Sequence, residues 1–251
     1  MGAETGTAKD KYFLLNRGYH FFRNGDWDQA ITNFSEVLGQ DPRFAIAFSN
    51  RGMVFIKLKK YEEALSDFNR AIMLEPKFAA SYNNRGLLYF ILGDYEKALD
   101  DFNKAASLNP KKSEIYHNRG RTYIKKEKYN QALADIRKTI ELDPGNPNNY
   151  YVCGIVLDEL SRYDESIKYY STVIRLKPNF SEAYEKRGIA YNVMKKYEEA
   201  IHDFTRVIEL NPKQASTYYN RSLTYEKLGN QNLSVKDYNT AIKLNPRLFK
   251  N

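Results

Sequence analysis

Asparagine recurs at a fixed interval along this sequence. The series is Asn16, Asn50, Asn84, Asn118 and Asn220, and its first four members lie 34 residues apart. An asparagine side chain carries both a donor and an acceptor, so it can hydrogen-bond to a peptide backbone in two directions. A row of such amides would hold an extended segment without reading its side chains. The alternative is that they cap or bridge neighbouring helices; the sequence favours peptide binding for Asn50, Asn84 and Asn118, which are consecutive and central.

A second series pairs arginines with acids. The arginines are Arg17, Arg51, Arg85, Arg119, Arg187 and Arg221; sixteen residues later stand the amide Asn33 in the first case and the acids Asp67, Asp101, Asp135, Asp203 and Asp237 in the others. The exception has Cys153 in place of arginine, and it carries Tyr169 at the acidic position. This covariation within one chain predicts an ion pair that joins two helices, in the bidentate geometry that arginine and carboxylate can adopt. We interpret the series as structural rather than ligand-binding.

The sequence contains no recognisable catalytic or metal-binding constellation. The three histidines His20, His117 and His202 are scattered, and Cys153 has no candidate base nearby. No cluster of His, Cys and carboxylate residues has the spacing of metal ligands, and no glycine-rich loop is suited to a phosphate. We therefore expect a protein that is not an enzyme and that needs neither a cofactor nor a metal.

The elements that position these residues follow from a strict repeat. Seven prolines are each separated by 34 residues, namely Pro42, Pro76, Pro110, Pro144, Pro178, Pro212 and Pro246. Glycine, aromatic and alanine positions keep the same interval. A fixed period of this length predicts an array of stacked supersecondary units, which are stabilised by contacts between neighbours.

The stretch from 79 to 112 shows the unit most clearly. Tyr82, Arg85, Gly86 and Tyr89 recur at helical spacing and predict a first amphipathic helix. Gly93 suits a left-handed helix end, and Asp94 suits the N-cap of a second helix. That second helix has its apolar face at Ala98, Leu99, Phe102, Ala105 and Ala106, and Pro110 ends it.

Tyr82-x2-Arg85-Gly86-x2-Tyr89, followed by Ala98-x3-Phe102 and Pro110, resembles the tetratricopeptide repeat (TPR). The resemblance implies an all-α fold, a TPR solenoid of seven antiparallel helix pairs stacked into a superhelix with a concave groove lined by the first helices. The predicted units are 11–44, 45–78, 79–112, 113–146, 147–180, 181–214 and 215–248, forming one array. Residues 1–10 would be a flexible lead and 249–251 the C-terminal end. Arginine at the seventh position of the unit departs from the family pattern, which has leucine there.

The resemblance also places an apolar stripe in the groove of the first three units. Its members include Tyr12, Leu15, Tyr19, Phe22, Met53, Leu87 and Phe90. With Asn16, Asn50, Asn84, Asn118 and Arg121 they form the candidate peptide-binding groove. For any single apolar residue, packing between adjacent first helices is the alternative. Later groove positions hold Asp158, Glu159, Glu182 and Glu185, so the groove is predicted to change from apolar and mildly basic to acidic.

These features favour a protein–protein interaction scaffold that binds a peptide segment in its groove. The net charge of +8 is spread over interspersed acids and bases, and the acidic groove positions argue against nucleic acid. The alternatives are a scaffold that self-associates through its terminal repeats, giving a homo-oligomer, and the TPR portion of a larger enzyme complex. A single cysteine and the lack of a signal peptide or membrane-length apolar run suggest a cytoplasmic protein without membrane insertion.

Overall fold

The computed structural model describes residues 7–249, and that part of the chain is all-α, with no strand. The chain divides into two compact units, Met1–Lys126 and Glu127–Asn251. The helices of the first unit are α1 (Thr7–Asn24), α2 (Trp27–Gln40), α3 (Ala45–Lys57), α4 (Tyr61–Leu74), α5 (Ala79–Leu92), α6 (Tyr95–Leu108) and α7 (Ser113–Lys125). Those of the second are α8 (Tyr129–Leu142), α9 (Pro147–Glu159), α10 (Tyr163–Leu176), α11 (Ser181–Val193), α12 (Tyr197–Leu210), α13 (Ala215–Lys227) and α14 (Gln231–Leu244), followed by a 3-10 turn (Pro246–Phe249).

Both ends of the described chain differ in detail from the predicted unit boundaries. Helix α1 begins at Thr7, so the last four residues of the predicted lead are helical. Nothing in that stretch breaks a helix, and Asp10 places an acid in the first turn. Residues 1–6 of the lead lie outside the described part. At the other end, Phe249 closes the 3-10 turn, and residues 250–251 also lie outside the described part.

The third repeat illustrates how the sequence delimits each helix. Gly93 adopts a φ of 81°, in the left-handed region that suits glycine at the end of α5. The Asp94 side chain accepts a hydrogen bond from the backbone N–H of Lys97 and so caps α6. Helix α6 ends at Leu108, two residues before Pro110, which cannot continue it.

The two helices of a repeat approach closely where a glycine faces an aromatic ring sixteen residues later. A Cβ added to Gly86 would lie 2.8 Å from the Phe102 ring, which is fully buried. The same contact occurs in the pairs Gly18–Phe34, Gly52–Phe68, Gly154–Tyr170 and Gly188–Phe204. In the seventh repeat Ser222 replaces the glycine. The glycine therefore makes the room in which the ring is buried.

First helices of neighbouring repeats contact one another within each unit. In the first unit α1 meets α3, α3 meets α5 and α5 meets α7; in the second α9 meets α11 and α11 meets α13. Within each unit, the second helices α2, α4, α6, α10 and α12 each pack between their own first helix and the first helix of the next repeat. We call the surface formed by these first helices the first-helix side of each unit.

Candidate functional site

The predicted ion pair between the helices of a repeat is confirmed in four repeats. Arg85 donates from Nε to Asp101 Oδ2 at 2.8 Å and from Nη2 to Asp101 Oδ1 at 2.7 Å. The same fork joins Arg51 to Asp67, Arg187 to Asp203 and Arg221 to Asp237. The hydrogen bond to Asp101 raises the pKa of Arg85 above its usual value. These side chains are therefore committed to the scaffold and are not offered to a ligand.

Each of these arginines also reaches the preceding repeat, a contact that the sequence reasoning missed. Arg85 Nη1 donates to Asn69 Oδ1 at 2.7 Å, and its guanidinium lies 5.9 Å from the ring centroids of both Tyr82 and Tyr89. Equivalent donors and acceptors are Arg51–Ser35, Arg119–Asn103, Arg187–Ser171 and Arg221–Thr205. The sequence feature that could have predicted this contact is a polar residue sixteen positions before each arginine. Arginine at the seventh position thus joins two repeats as well as two helices.

The fifth repeat fills the same three positions with different residues. Cys153 stands where the arginine would be, and the position sixteen residues earlier, on α8, holds Arg137. Arg137 interacts with Tyr169 and with Cys153, and it donates from Nη2 to Glu165 at 2.9 Å. The cation has therefore moved from the first helix to the preceding second helix, while the bridge between the repeats is retained.

The thiol of Cys153 is a buried part of this bridge. The residue is fully buried, and burial raises the pKa of its thiol to about 11, although Tyr169 and Arg137 oppose the shift. A thiol with so high a pKa is almost entirely protonated at neutral pH and is a poor nucleophile. Cys153 therefore serves packing.

Asp158, predicted to face the groove, instead supports the core of the fifth repeat. The hydroxyl of the fully buried Tyr170 donates to Asp158 Oδ2 at 2.6 Å. Burial raises the pKa of the Asp158 carboxyl above its usual value. Tyr170 stands where four other repeats have phenylalanine, and Asp158 supplies the acceptor that the extra hydroxyl requires. This acid is consequently less available to a ligand than the exposed Glu159 and Glu182.

The asparagine row shows bridging contacts between neighbouring repeats. Asn118 is 8% exposed, and its amide nitrogen donates to Asn83 Oδ1 at 3.1 Å. Asn84 donates in the same way to Ser49 Oγ at 3.1 Å. Asn16 is exposed and Asn50 is partly exposed. The alternative role, bridging between helices, therefore holds for the amide nitrogens of Asn84 and Asn118, while peptide binding by the row stays a prediction.

The predicted apolar stripe separates into exposed and packed residues. Tyr12 and Tyr19 on α1 are 54% and 51% exposed. Leu15 and Phe22 are partly buried and pack against the Phe34 cluster between α1 and α2. Met53 packs in the same way against the cluster around Phe68 and Leu88. Only some members of the stripe are thus free to meet a partner.

Four predicted site residues converge at the junction of α5 and α7. Leu87 and Phe90 on α5, with Asn118 and Arg121 on α7, surround a narrow crevice above Phe102 of α6 that has no room for a water molecule. The Arg121 guanidinium lies 5.0 Å from the centroid of the Phe90 ring, within the range of a cation–π interaction. We call these five residues the Arg121 pocket. It combines an apolar floor, a buried amide and an exposed cation on the first-helix side.

Two further groups surround the Arg121 pocket along α7. His117 precedes Arg121 by one helical turn and is partly buried. Burial, followed by the charge of Arg121, lowers the pKa of His117, which is therefore neutral at physiological pH. Lys125, one turn beyond Arg121, is exposed. The permanent charge on this part of α7 is consequently positive.

The second unit contains a hollow that the sequence reasoning did not identify. Asn192, Val193, Tyr197, Leu223, Thr224, Glu226 and Lys227 line an open cavity of about 510 Å³ between α11 and α13. Asn192 donates to Thr224 Oγ1 at 2.8 Å, which fixes the orientation of its amide. This hollow could have been predicted, because Val193 and Leu223 occupy the repeat positions of Ile91 and Leu87, respectively.

Neither a membrane-crossing helix nor a metal-binding cluster occurs in the described residues. Within residues 7–249, no helix is both long and apolar enough to cross a membrane. In the same part of the chain, no group of three or more His, Cys, Asp and Glu side chains is placed to hold a metal ion.

Solved structures of tetratricopeptide-repeat proteins resemble this chain. YrrB, described as a TPR protein with an unusual peptide-binding site, is 27% identical, with a TM-score of 0.66 over 72% of this chain and 93% of YrrB. A TPR protein from Parabacteroides merdae is 25% identical, with a TM-score of 0.63 over 94% of both chains. The C-terminal part of a TPR protein from Cytophaga hutchinsonii has a TM-score of 0.77 over 93% of this chain and 96% of its own, but at 17% identity it supports the fold alone. No curated protein sequence gives a significant match.

Sequence models of the tetratricopeptide repeat account for nearly all of the chain. They match residues 15–76, 79–112, 113–146, 147–180, 181–214 and 215–248. The later five matches coincide with the predicted units, and the helix pairs of the structure follow the same 34-residue period. With the fold and the repeat motif in agreement, this chain belongs to the tetratricopeptide-repeat family.

Proposed function

We propose that this protein is a non-enzymatic scaffold that binds a peptide segment of a protein partner on the first-helix side of its first unit. TPR arrays serve protein–protein interaction, and the finer assignment rests on one observation. The Arg121 pocket brings the partly exposed Leu87 and Phe90 together with the exposed cation of Arg121, beside the buried amide of Asn118. A site of this composition offers both burial and directed hydrogen bonds to an extended segment.

Exposed apolar side chains near the pocket and at the start of the unit support this proposal. Ile91, next to Phe90 on α5, is 43% exposed, and Tyr12 and Tyr19 on α1 are more exposed still. Large apolar side chains that lie in water gain free energy when a partner covers them. The relative YrrB is described as having a peptide-binding site, which makes this use of the fold reasonable for the present chain.

Self-association is a second candidate, supported by the outer surface of α14. Leu233, Val235, Tyr238 and Leu244 on this helix are each at least 38% exposed. Burial of such a surface against another copy would stabilise an oligomer. Sedimentation at increasing concentration tests this candidate directly, since an increase in mass with concentration supports it and a constant monomer mass excludes it.

The peptide-binding proposal is tested by selecting ligands for the whole protein. A display library of random twelve-residue peptides is selected on the immobilised chain, and the enriched peptides are synthesised and their Kd measured by fluorescence anisotropy. We expect Leu87→Ala/Phe90→Ala to weaken binding by about tenfold or more, since apolar anchors dominate such interfaces.

A matched control uses the sixth repeat. Ile189→Ala/Val193→Ala removes two exposed apolar side chains from the first-helix side of the second unit. We expect this variant to bind the selected peptides with the wild-type Kd. If no peptide is enriched, or if only the control variant loses binding while both variants melt like the wild type, the first unit does not contain the peptide site.

A further inference from the structure

Resting on the proposed peptide site, we infer that the Arg121 pocket recognises an aspartate or glutamate side chain within an extended segment, accompanied by an apolar residue. The carboxylate would pair with the guanidinium of Arg121, and the apolar side chain would lie on Leu87 and Phe90. The partner is thereby defined as an internal acidic and apolar stretch of a protein chain.

Arg121 differs from the scaffold arginines in having no carboxylate. Arg51 and Arg85, in the same unit, each donate two hydrogen bonds to an aspartate and a third to the preceding repeat. Among the described residues, Arg121 has no ion-pair partner, and its contact is with the ring of Phe90. Its five N–H donors are therefore available to a ligand.

The Phe90 ring also prepares Arg121 for a carboxylate. A guanidinium that lies over an aromatic ring loses part of its rotamer freedom before any ligand arrives. Its planar fork matches both oxygens of a carboxylate, and the pairing is strengthened where the ring excludes water from one side of the cation. The free protein thus already restricts the conformation of the group that would hold the acid.

The charges around the pocket favour an acid over a base. Lys125 adds a positive charge one turn from Arg121, and neutral His117 adds none. The nearest acid on α7, Glu114, lies seven residues before Arg121, which is two helical turns away. A lysine or arginine of a partner would face Arg121 and Lys125 directly, and like charges at such a distance repel.

The apolar floor determines what accompanies the acid. Leu87 and Phe90 lie beside Arg121, line the same crevice and are partly exposed. In an extended peptide, side chains two positions apart point to the same side. An acidic residue at one position and an apolar residue two positions away would therefore reach Arg121 and the Leu87–Phe90 floor together.

The test uses the peptides selected on the whole protein in the display experiment. We expect them to be enriched in Asp or Glu two positions from an apolar residue. Arg121→Gln should weaken their binding by about tenfold, the loss expected for one charge-assisted bidentate contact. Arg70→Gln removes a cation from the exposed surface of α4, so it is the matched control and should bind like the wild type.

A charge reversal makes the assignment specific. The same peptide with its acid replaced by lysine should bind the wild type at least about tenfold more weakly and should regain affinity for Arg121→Glu. Recovery requires that the two side chains meet, and a general change of surface charge would not produce it. Because Arg121 is exposed and carries no ion pair, Arg121→Gln and Arg121→Glu should both melt at the wild-type temperature.

Two results would overturn the inference in different ways. If Arg121→Gln and Arg121→Glu bind the peptides like the wild type while Leu87→Ala/Phe90→Ala does not, the peptide site stands but it does not read an acid. If none of these folded variants loses affinity, the selected peptides bind elsewhere, and both the inference and the proposed site fail.

Discussion

The third and fifth repeats solve the same packing problem with different residues. In the third, Arg85 on the first helix joins Asp101 to Asn69, and Phe102 fills the space beside Gly86. In the fifth, Arg137 comes from the preceding second helix, interacts with Tyr169 and Cys153, and donates to Glu165. Tyr170 fills the space beside Gly154, and Asp158 accepts its hydroxyl proton in a hydrogen bond.

The difference shows that the scaffold constrains sets of positions more than single residues. Each set consists of three positions spaced sixteen residues apart: 69, 85 and 101 for the third repeat, and 137, 153 and 169 for the fifth. One position must supply a cation and the others must supply its partners. The cation is at the second position in the third repeat and at the first position in the fifth. A ring beside the glycine can likewise be phenylalanine or tyrosine, provided that an acceptor faces the hydroxyl of tyrosine. An arginine outside such a set, as Arg121 is, is consequently a candidate for binding rather than for stability.

The largest expected effect concerns the regular arrangement of the third repeat. Asp101→Ala should lower the free energy of unfolding by about 3 kcal/mol, because it leaves the mostly buried Arg85 without its carboxylate. The double variant Asp101→Ala/Arg85→Leu should be more stable than the single variant, since no unpaired charge remains. Denaturant unfolding of the two single variants and the double variant gives the coupling free energy. Losses that simply add would contradict the ion-pair interpretation.

A smaller effect is expected when the regular arginine is forced into the fifth repeat. Cys153→Arg should destabilise by about 2 kcal/mol, because it places a second guanidinium beside Arg137 and supplies no carboxylate. Transferring the full set with Cys153→Arg/Arg137→Ser/Tyr169→Asp should restore most of the loss, as judged by the melting temperature.

The size control for that series is Cys153→Ala, which creates only a small cavity in place of the thiol and should cost about 1 kcal/mol. If the triple variant is no more stable than Cys153→Arg, the two repeats do not use interchangeable sets of residues.

Most differences between the third and fifth repeats could be predicted from the sequence, because the 34-residue period assigns each residue to an equivalent position within its repeat. The proline interval predicted the helix pairs, and the sixteen-residue interval predicted the forks of Arg51, Arg85, Arg187 and Arg221. The covariation of Cys153 with Tyr169 marked the fifth repeat as different. The role of Arg137 was missed because it lies in the preceding repeat, and a search confined to one unit does not include it.

The sequence predicted which residues lie on the surface of the candidate site, but it did not predict which of their side chains are exposed. Family geometry placed Leu87, Phe90, Asn118 and Arg121 on one side, and they do meet at the α5–α7 junction. Repeat position does not say whether a side chain turns toward a neighbouring helix, which depends on the shapes around it. Leu15 and Asn118 turn inward in this way, whereas Tyr12 remains exposed.

The smallest expected effect tests the tyrosine of the fifth repeat. Tyr170→Phe removes the hydroxyl that donates to Asp158, and at neutral pH it should lower the free energy of unfolding by about 1 kcal/mol. Phe102→Tyr is the converse change, because Phe90 occupies in the third repeat the position of Asp158 and offers the new hydroxyl no acceptor. It should also destabilise by about 1 kcal/mol.

The two variants should differ in their dependence on pH. Burial holds the pKa of folded Asp158 above its unfolded value near 3.8, so ionisation of this group favours the unfolded state. Its contribution to stability therefore falls as pH rises from about 4 through the folded pKa. Without the Tyr170 hydroxyl the carboxylate is still less favoured, so the loss caused by Tyr170→Phe should be small at acidic pH and grow with rising pH. The loss caused by Phe102→Tyr should not follow the titration of a carboxyl, since Phe90 stands where the fifth repeat has Asp158; parallel curves for the two variants would show that Asp158 does not support Tyr170 as proposed.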